Sequence, residues 1–111
     1  MDILFLNKRD ANDFNDSKRL ARRYGFDNVK RIQRRLDDLR AAANLDEMSR
    51  LPGRLHPLAE NLSGLFALDV RHPQRLIIEP ANDPLPTKVD GSLDWTHITI
   101  VRIMRIEDYH D

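Results

Sequence analysis

The stretch "RIEDYHD" places an acid, a tyrosine and a histidine side by side as Asp108, Tyr109 and His110. Histidine exchanges protons near neutral pH, so His110 and the earlier His56 both suit acid–base work. Arg75 supplies a rigid, permanently charged fork that matches phosphate oxygens. A tyrosine can stack on a base or hold a hydroxyl, and an aspartate can orient a histidine. Plainer readings stand beside these. A histidine close to a chain end is ordinarily part of a solvated tail, and His56-Pro57 by itself is loop punctuation. Arg75 and Glu79 could be a same-face pair on one strand, with Arg71, Arg102 and Arg105 on solvated strand faces.

The composition narrows the chemistry. The chain of 111 residues contains no cysteine, which removes thiolate nucleophiles, disulfides and cysteine-held metal and fits a reducing cytoplasm. With 41% hydrophobic and 32% charged residues it reads as one globular domain spanning 1–111. "MDILFLNKRD" does not read as a secretory leader, and nothing approaches the ~20 apolar residues of a membrane helix. The formal net charge of zero argues against indiscriminate nucleic-acid binding. It conceals an asymmetry: residues 1–59 hold 13 Lys+Arg against 9 Asp+Glu, +4, and residues 60–111 hold 5 against 9, −4.

The elements that must position these side chains follow from periodicity. "DILFLN" reads as an opening strand. "NDSKRLARRYG" reads as a helix, with Asn15, Asp16 and Ser17 as candidate caps, Leu20 and Tyr24 buried, and Gly25 as the stop. In "DNVKRIQRRLDDLRAAANL" Val29, Ile32, Leu36, Leu39 and Ala43 make the stripe of an amphipathic helix, with Arg34 and Asp38 spaced for a helix-face pair. "LDEMSRLPG" predicts a further helical turn closed by Pro52 and Gly53. "LFALDV" and "RLIIEP" predict a hairpin about "RHPQ", and "HITIVRIMRIED" a long strand. Between the last two strands, residues 80–96 read as a long loop in which Trp95 is a packing residue. Strand, two helices and three strands make an α+β domain.

Several short motifs stand in order along the chain: Leu51-Pro52-Gly53, His56-Pro57-Leu58, Gly64-Leu65-Phe66, Arg75-Leu76-Ile77-Ile78 and Asp108-Tyr109-His110. This ordered series resembles the HigB branch of the RelE superfamily of bacterial toxins, over roughly residues 17–111. The resemblance implies a RelE-like β-α-α-β-β-β fold, two N-terminal helices packed on a small antiparallel sheet. It implies the toxin of a type II toxin–antitoxin pair, cleaving messenger RNA on the ribosome without metal or cofactor. The implied partners are a HigA-like helix-turn-helix antitoxin, the ribosome and messenger RNA. His56, Arg75, Asp108, Tyr109 and His110 would form the catalytic site.

Such cleavage needs a base for the 2′-hydroxyl, an acid for the leaving oxygen, cations for the phosphoryl charge and a support for the splayed nucleobase. The five residues supply these types, with the two histidines left unassigned between acid and base. Lys30, Arg31, Arg34 and Arg35 could dock on ribosomal RNA or simply form a solvated helix face. Relatives often carry a lysine just after His-Pro-Leu. Here Ala59 and Glu60 follow instead, and Arg54 is the nearby cation that could reach in. The neutral charge and the long 80–96 loop also depart from the family pattern. Two other readings therefore compete: a non-enzymatic inhibitor of DNA gyrase resembling the ParE toxins, and an attenuated module that only binds its antitoxin.

Overall fold

Where apolar residues fall along each segment decides which side of it is buried, and here they cover one face of a sheet with helices. The computed structural model describes residues 1–108, so Tyr109 and His110 lie outside the described residues. Strand β1 (Asp2–Phe5) turns Ile3 and Phe5 towards the core and leaves Asp2 and Leu4 exposed. Helix α1 (Lys8–Phe14) comes next, an element absent from the sequence reading. Its apolar residues are only Ala11 and Phe14, too few for a stripe. Side-chain chemistry holds it instead: Asn7 caps its first turn, and Arg23 donates to the buried Asp10 at 2.7 Å.

Of the three candidate caps for α2 (Ser17–Tyr24), Asp16 does the capping. Its Oδ1 accepts from the amides of Lys18 and Arg19 at 2.9 and 3.1 Å. Helix α3 (Phe26–Ala41) buries Val29, Ile32, Leu36 and Leu39 as the stripe predicts. Ala43 departs from that stripe: the helix stops at Ala41, the chain turns extended at Ala42, and Ala42 is the buried alanine. The short α4 (Leu45–Met48) then adds Leu45 and Met48 to the core.

The sheet has the order β1-β5-β4-β3-β2, with β2 (His56–Pro57), β3 (Phe66–Arg71), β4 (Gln74–Pro80) and β5 (Ile100–Asp108). The α+β class is as expected, but the sheet is mixed rather than wholly antiparallel, because β1 and β5 run parallel. Nothing local to "DILF" encodes that partner, which lies at the other end of the chain. Phe66, Leu68, Val70, Leu76, Ile78, Val101 and Ile103 meet the helices. Alternation sends Ala67, Asp69, Arg75, Ile77, Glu79 and Arg102 to the opposite face, open along its charged margins while Ala67 and Ile77 at its centre are fully buried.

One irregularity decides which residues of β5 share that open face. Ile78 pairs with Ile103, yet Ile77 pairs with Arg105, so Met104 is an extra residue on β5. This bulge keeps Ile106 on the helix side and places Arg105 and Glu107 on the open face. The 80–96 segment is an ordered loop with a small turn closed by Thr87 and Leu93. Trp95 packs edge-on against Phe66 at 5.2 Å, which agrees with its reading as a packing residue.

Candidate functional site

Asp69 on β3 organises one end of the open face. Its amide donates to the Gly53 carbonyl at 2.7 Å, and its own carbonyl accepts from Arg35 Nε at 2.8 Å. Its carboxylate accepts from Arg54 Nε at 2.9 Å. The Leu-Pro-Gly segment thereby acquires a physical role. Gly53 has φ +113°, and a Cβ there would stand 2.8 Å from Arg35 Nε and 3.3 Å from Leu68 Cδ2. Only glycine lets the chain pass this close, and the passage delivers Arg54 and then His56 to the sheet. Arg54 itself holds φ +54°, a left-handed conformation uncommon for a side-chain-bearing residue.

Arg75 occupies the next position across the sheet, paired with Asp69 on one side and Glu107 on the other. Its Nε and Nη2 both donate to Glu107 Oε1, at 3.2 and 2.8 Å. Glu107 Oε2 accepts from Arg105 Nε at 2.9 Å. Burial pushes the Glu107 carboxyl up, and the hydrogen bonds from Arg105 and Arg75 outweigh it, holding the group below the usual carboxylate range. Only 12% of the Arg75 side chain is exposed, so its fork is held rather than waving in solvent. Arg75 and Glu79 are not partners as their spacing allowed, because Glu79 accepts from Arg102 at 2.6 Å.

Arg54, Asp69, His72, Pro73, Gln74 and Arg75 line a cleft of about 220 Å³. Two guanidinium groups and an imidazole thus border one small space, a set able to hold an anion and exchange a proton with it. Gln74 Oε1 is buried and makes no hydrogen bond among the described residues. His56 does not line this cleft. It pairs with Ala67 on β2, in a cross-strand row that continues through Ile77 to Arg105, and its Nδ1 lies 2.8 Å from the Arg54 carbonyl. Asp108 pairs with Gln74, and alternation gives it the opposite side of β5 from Glu107. The structure therefore gathers His56, Arg54 and Arg75 on one face and does not bring Asp108 beside Arg75.

The helix cations are elsewhere. Lys30, Arg31 and Arg34 are exposed on α3, in the layer that covers the other face of the sheet. Arg35 turns inward, bonded to the Asp69 carbonyl and to Asp38 at 3.3 Å, so Asp38 pairs with Arg35 rather than with Arg34. Three residues of the site escaped the sequence: Asp69, His72 and Glu107. The hairpin pattern could have found Asp69, since a short turn at 72–73 must set it near Arg75. Glu107 was visible only to a reader who noticed that Val101, Ile103 and Ile106 break strict alternation. Among the described residues no three His, Asp or Glu side chains are grouped to hold a metal ion. No described helix is long and apolar enough to cross a membrane.

No family model matches the sequence, and no curated protein does. Solved structures do match over essentially the whole chain. A "YoeB/ParE toxin" from Agrobacterium tumefaciens is 10% identical with a TM-score of 0.60, covering 99% of this chain and 100% of its own. The YoeB dimer of Staphylococcus aureus is 21% identical with a TM-score of 0.54, and YoeB in the YoeB–YefM complex from the same organism is 20% identical at 0.52. In both, 100% of this chain and 98% of the other are covered. At such identities the likeness is one of fold: this chain has the fold of the YoeB and ParE toxins.

Proposed function

We propose that this protein is the toxin of a toxin–antitoxin pair and cleaves messenger RNA on the ribosome. The observation that carries the reading is the open sheet face, where Arg54 and Arg75 border one cleft beside His72 and near His56. A phosphodiester placed there would meet the held fork of Arg75 and the exposed one of Arg54, which suits stabilisation of the developing phosphoryl charge. Arg54 would supply the charge that relatives draw from a lysine at the position of Ala59. Tyr109 and His110 enter through the motif series alone, as base-stacking and proton-transfer groups; so does Asp108. The same series resembles the HigB branch and would give the chain a HigA-like antitoxin, whereas the solved structures of like fold are YoeB and ParE toxins. The solved fold relatives include a toxin bound to YefM, which supports an antitoxin partner in general.

A specific feature favours a second reading. Each arginine of the open face faces a carboxylate: Arg54 with Asp69, Arg75 and Arg105 with Glu107, and Arg102 with Glu79. With four arginines set against three carboxylates, most of the positive charge is already answered, which suits a module that binds a partner without cutting RNA.

Primer extension on a defined messenger RNA, with and without translating ribosomes, separates the two. The nuclease reading expects ribosome-dependent cuts that Arg75→Ala weakens by about 10²–10³-fold. No cuts from folded, antitoxin-free protein would leave the binding module, or a ParE-like inhibitor if DNA-damage signalling follows expression.

A further inference from the structure

Phe26 opens α3 and is 88% exposed, although it lies three residues before Val29 and so continues the buried stripe of that helix. The stripe outruns the core at this end. Beyond it, α2 and α3 diverge into a groove of about 530 Å³. Ala21, Val29 and Phe26 give this groove its apolar surface, and Lys18, Arg22 and Lys30 stand among its lining residues. Lys18 and Arg22 are four residues apart on α2, so they line one flank, and Lys30 follows Phe26 by one turn on the other. Among the described residues no acid lines the groove.

From this arrangement we infer that the α2–α3 groove receives an amphipathic helix of a partner protein, with one apolar side chain beside Phe26 and acidic residues on both flanks. An apolar floor between cationic flanks is complementary to that object and to few others. A single-stranded nucleic acid would use the cations and could stack one base on Phe26. The aliphatic Ala21 and Val29 give it nothing to stack on or hydrogen-bond to, so the floor favours a protein. The groove lies on the helical layer and shares no lining residue with the cleft of Arg54 and Arg75, although Asp27, beside Phe26, reaches Arg71 next to the cleft's hairpin turn at 3.7 Å. Docking there would leave the open sheet face accessible and stands whether or not the chain cleaves RNA. If the chain is a toxin, the antitoxin is the natural supplier of this helix.

Fluorescence anisotropy with three probes at physiological ionic strength tests it. The first is a synthetic helix with leucines on one face and glutamates on both flanks; the second replaces the glutamates with lysines; the third is an unstructured RNA oligonucleotide. Micromolar binding of the glutamate helix alone is expected, weakened about tenfold or more by Phe26→Ala. Lys18→Glu with Arg22→Glu should weaken it too, and move preference towards the lysine helix. These side chains are exposed, so both variants should melt like the wild type, which circular dichroism checks. The proposal is overturned if the glutamate helix does not bind, or binds equally to both variants. It is also overturned if RNA alone shows that dependence on Phe26, or if sedimentation reveals a dimer that Phe26→Ala dissolves.

Discussion

At the scale of single residues, the site depends on close approaches more than on reactive groups. Gly53 is the tightest: alanine there would combine a strained φ with a Cβ pressed on the Arg35 guanidinium. Gly53→Ala should cost about 2 kcal/mol in urea melts and should disturb Asp69, whose amide and carbonyl both answer to this corner. Unchanged stability would mean that Arg35 simply moves aside. Glu107 makes a sharper, pH-dependent prediction. Its folded pKa lies below the ordinary value, so the stability it contributes is present above the free glutamate pKa of about 4.3. That contribution is lost as the pH falls through the depressed folded value. The stability gap between wild type and Glu107→Gln should therefore hold steady at neutral pH, shrink below about pH 4.3, and close in stronger acid. A gap independent of pH would show that the carboxylate charge is irrelevant to the Arg75–Glu107–Arg105 chain.

At the scale of elements, the bulge on β5 does the sorting. With Met104 looped into the strand, Val101, Ile103 and Ile106 all reach the core while Arg105 and Glu107 stay outside. Deleting Met104 would restore regular alternation without changing any of those assignments, so melting should stay within about 1 kcal/mol of wild type. Inserting one alanine after Met104 should also keep those sides, but it slides Arg105 opposite Arg75 in place of Glu107 and alanine opposite Leu76 in place of Ile106, so stability should fall by about 2 kcal/mol or more. Equal tolerance of both changes would refute the role given to the bulge. How far the elements were legible follows the same logic. The α3 stripe could be read because four residues three to four apart share one buried face. Helix α1 could not, since a cap and the Asp10–Arg23 ion pair hold it and neither has a period. His56 and Arg75 were found through ordered motifs; Asp69 and Glu107 were not, because a strand acid acquires meaning only from the residue across from it.

At the scale of the whole molecule, the sheet closes by joining the two ends of the chain. β5 sits between β4 and β1, so the last strand enters the sheet as an interior strand flanked by the first. That pairing is invisible to any local pattern. It also makes β1 more than an ornamental edge. Ile3 and Phe5 pack against the core, and Phe5 stacks on Phe14 at 5.8 Å, tying the sheet to α1. Ile3 and Phe5 are half-buried, so each contributes part of the ~1.5–3 kcal/mol of a fully buried side chain, against a total stability of roughly 5–15 kcal/mol for a small domain. Removing residues 1–6 would forfeit both and bare the backbone edge of β5, where another chain could pair. The shortened chain should lose its cooperative melt and self-associate on sizing columns. Leu4→Lys is the control, because Leu4 points to the open face and is already exposed, and this variant should melt like the wild type. A truncated chain that remains monomeric and melts in one sharp transition would mean that β4 and β5 complete the domain by themselves, and that the parallel strand only shields their edge.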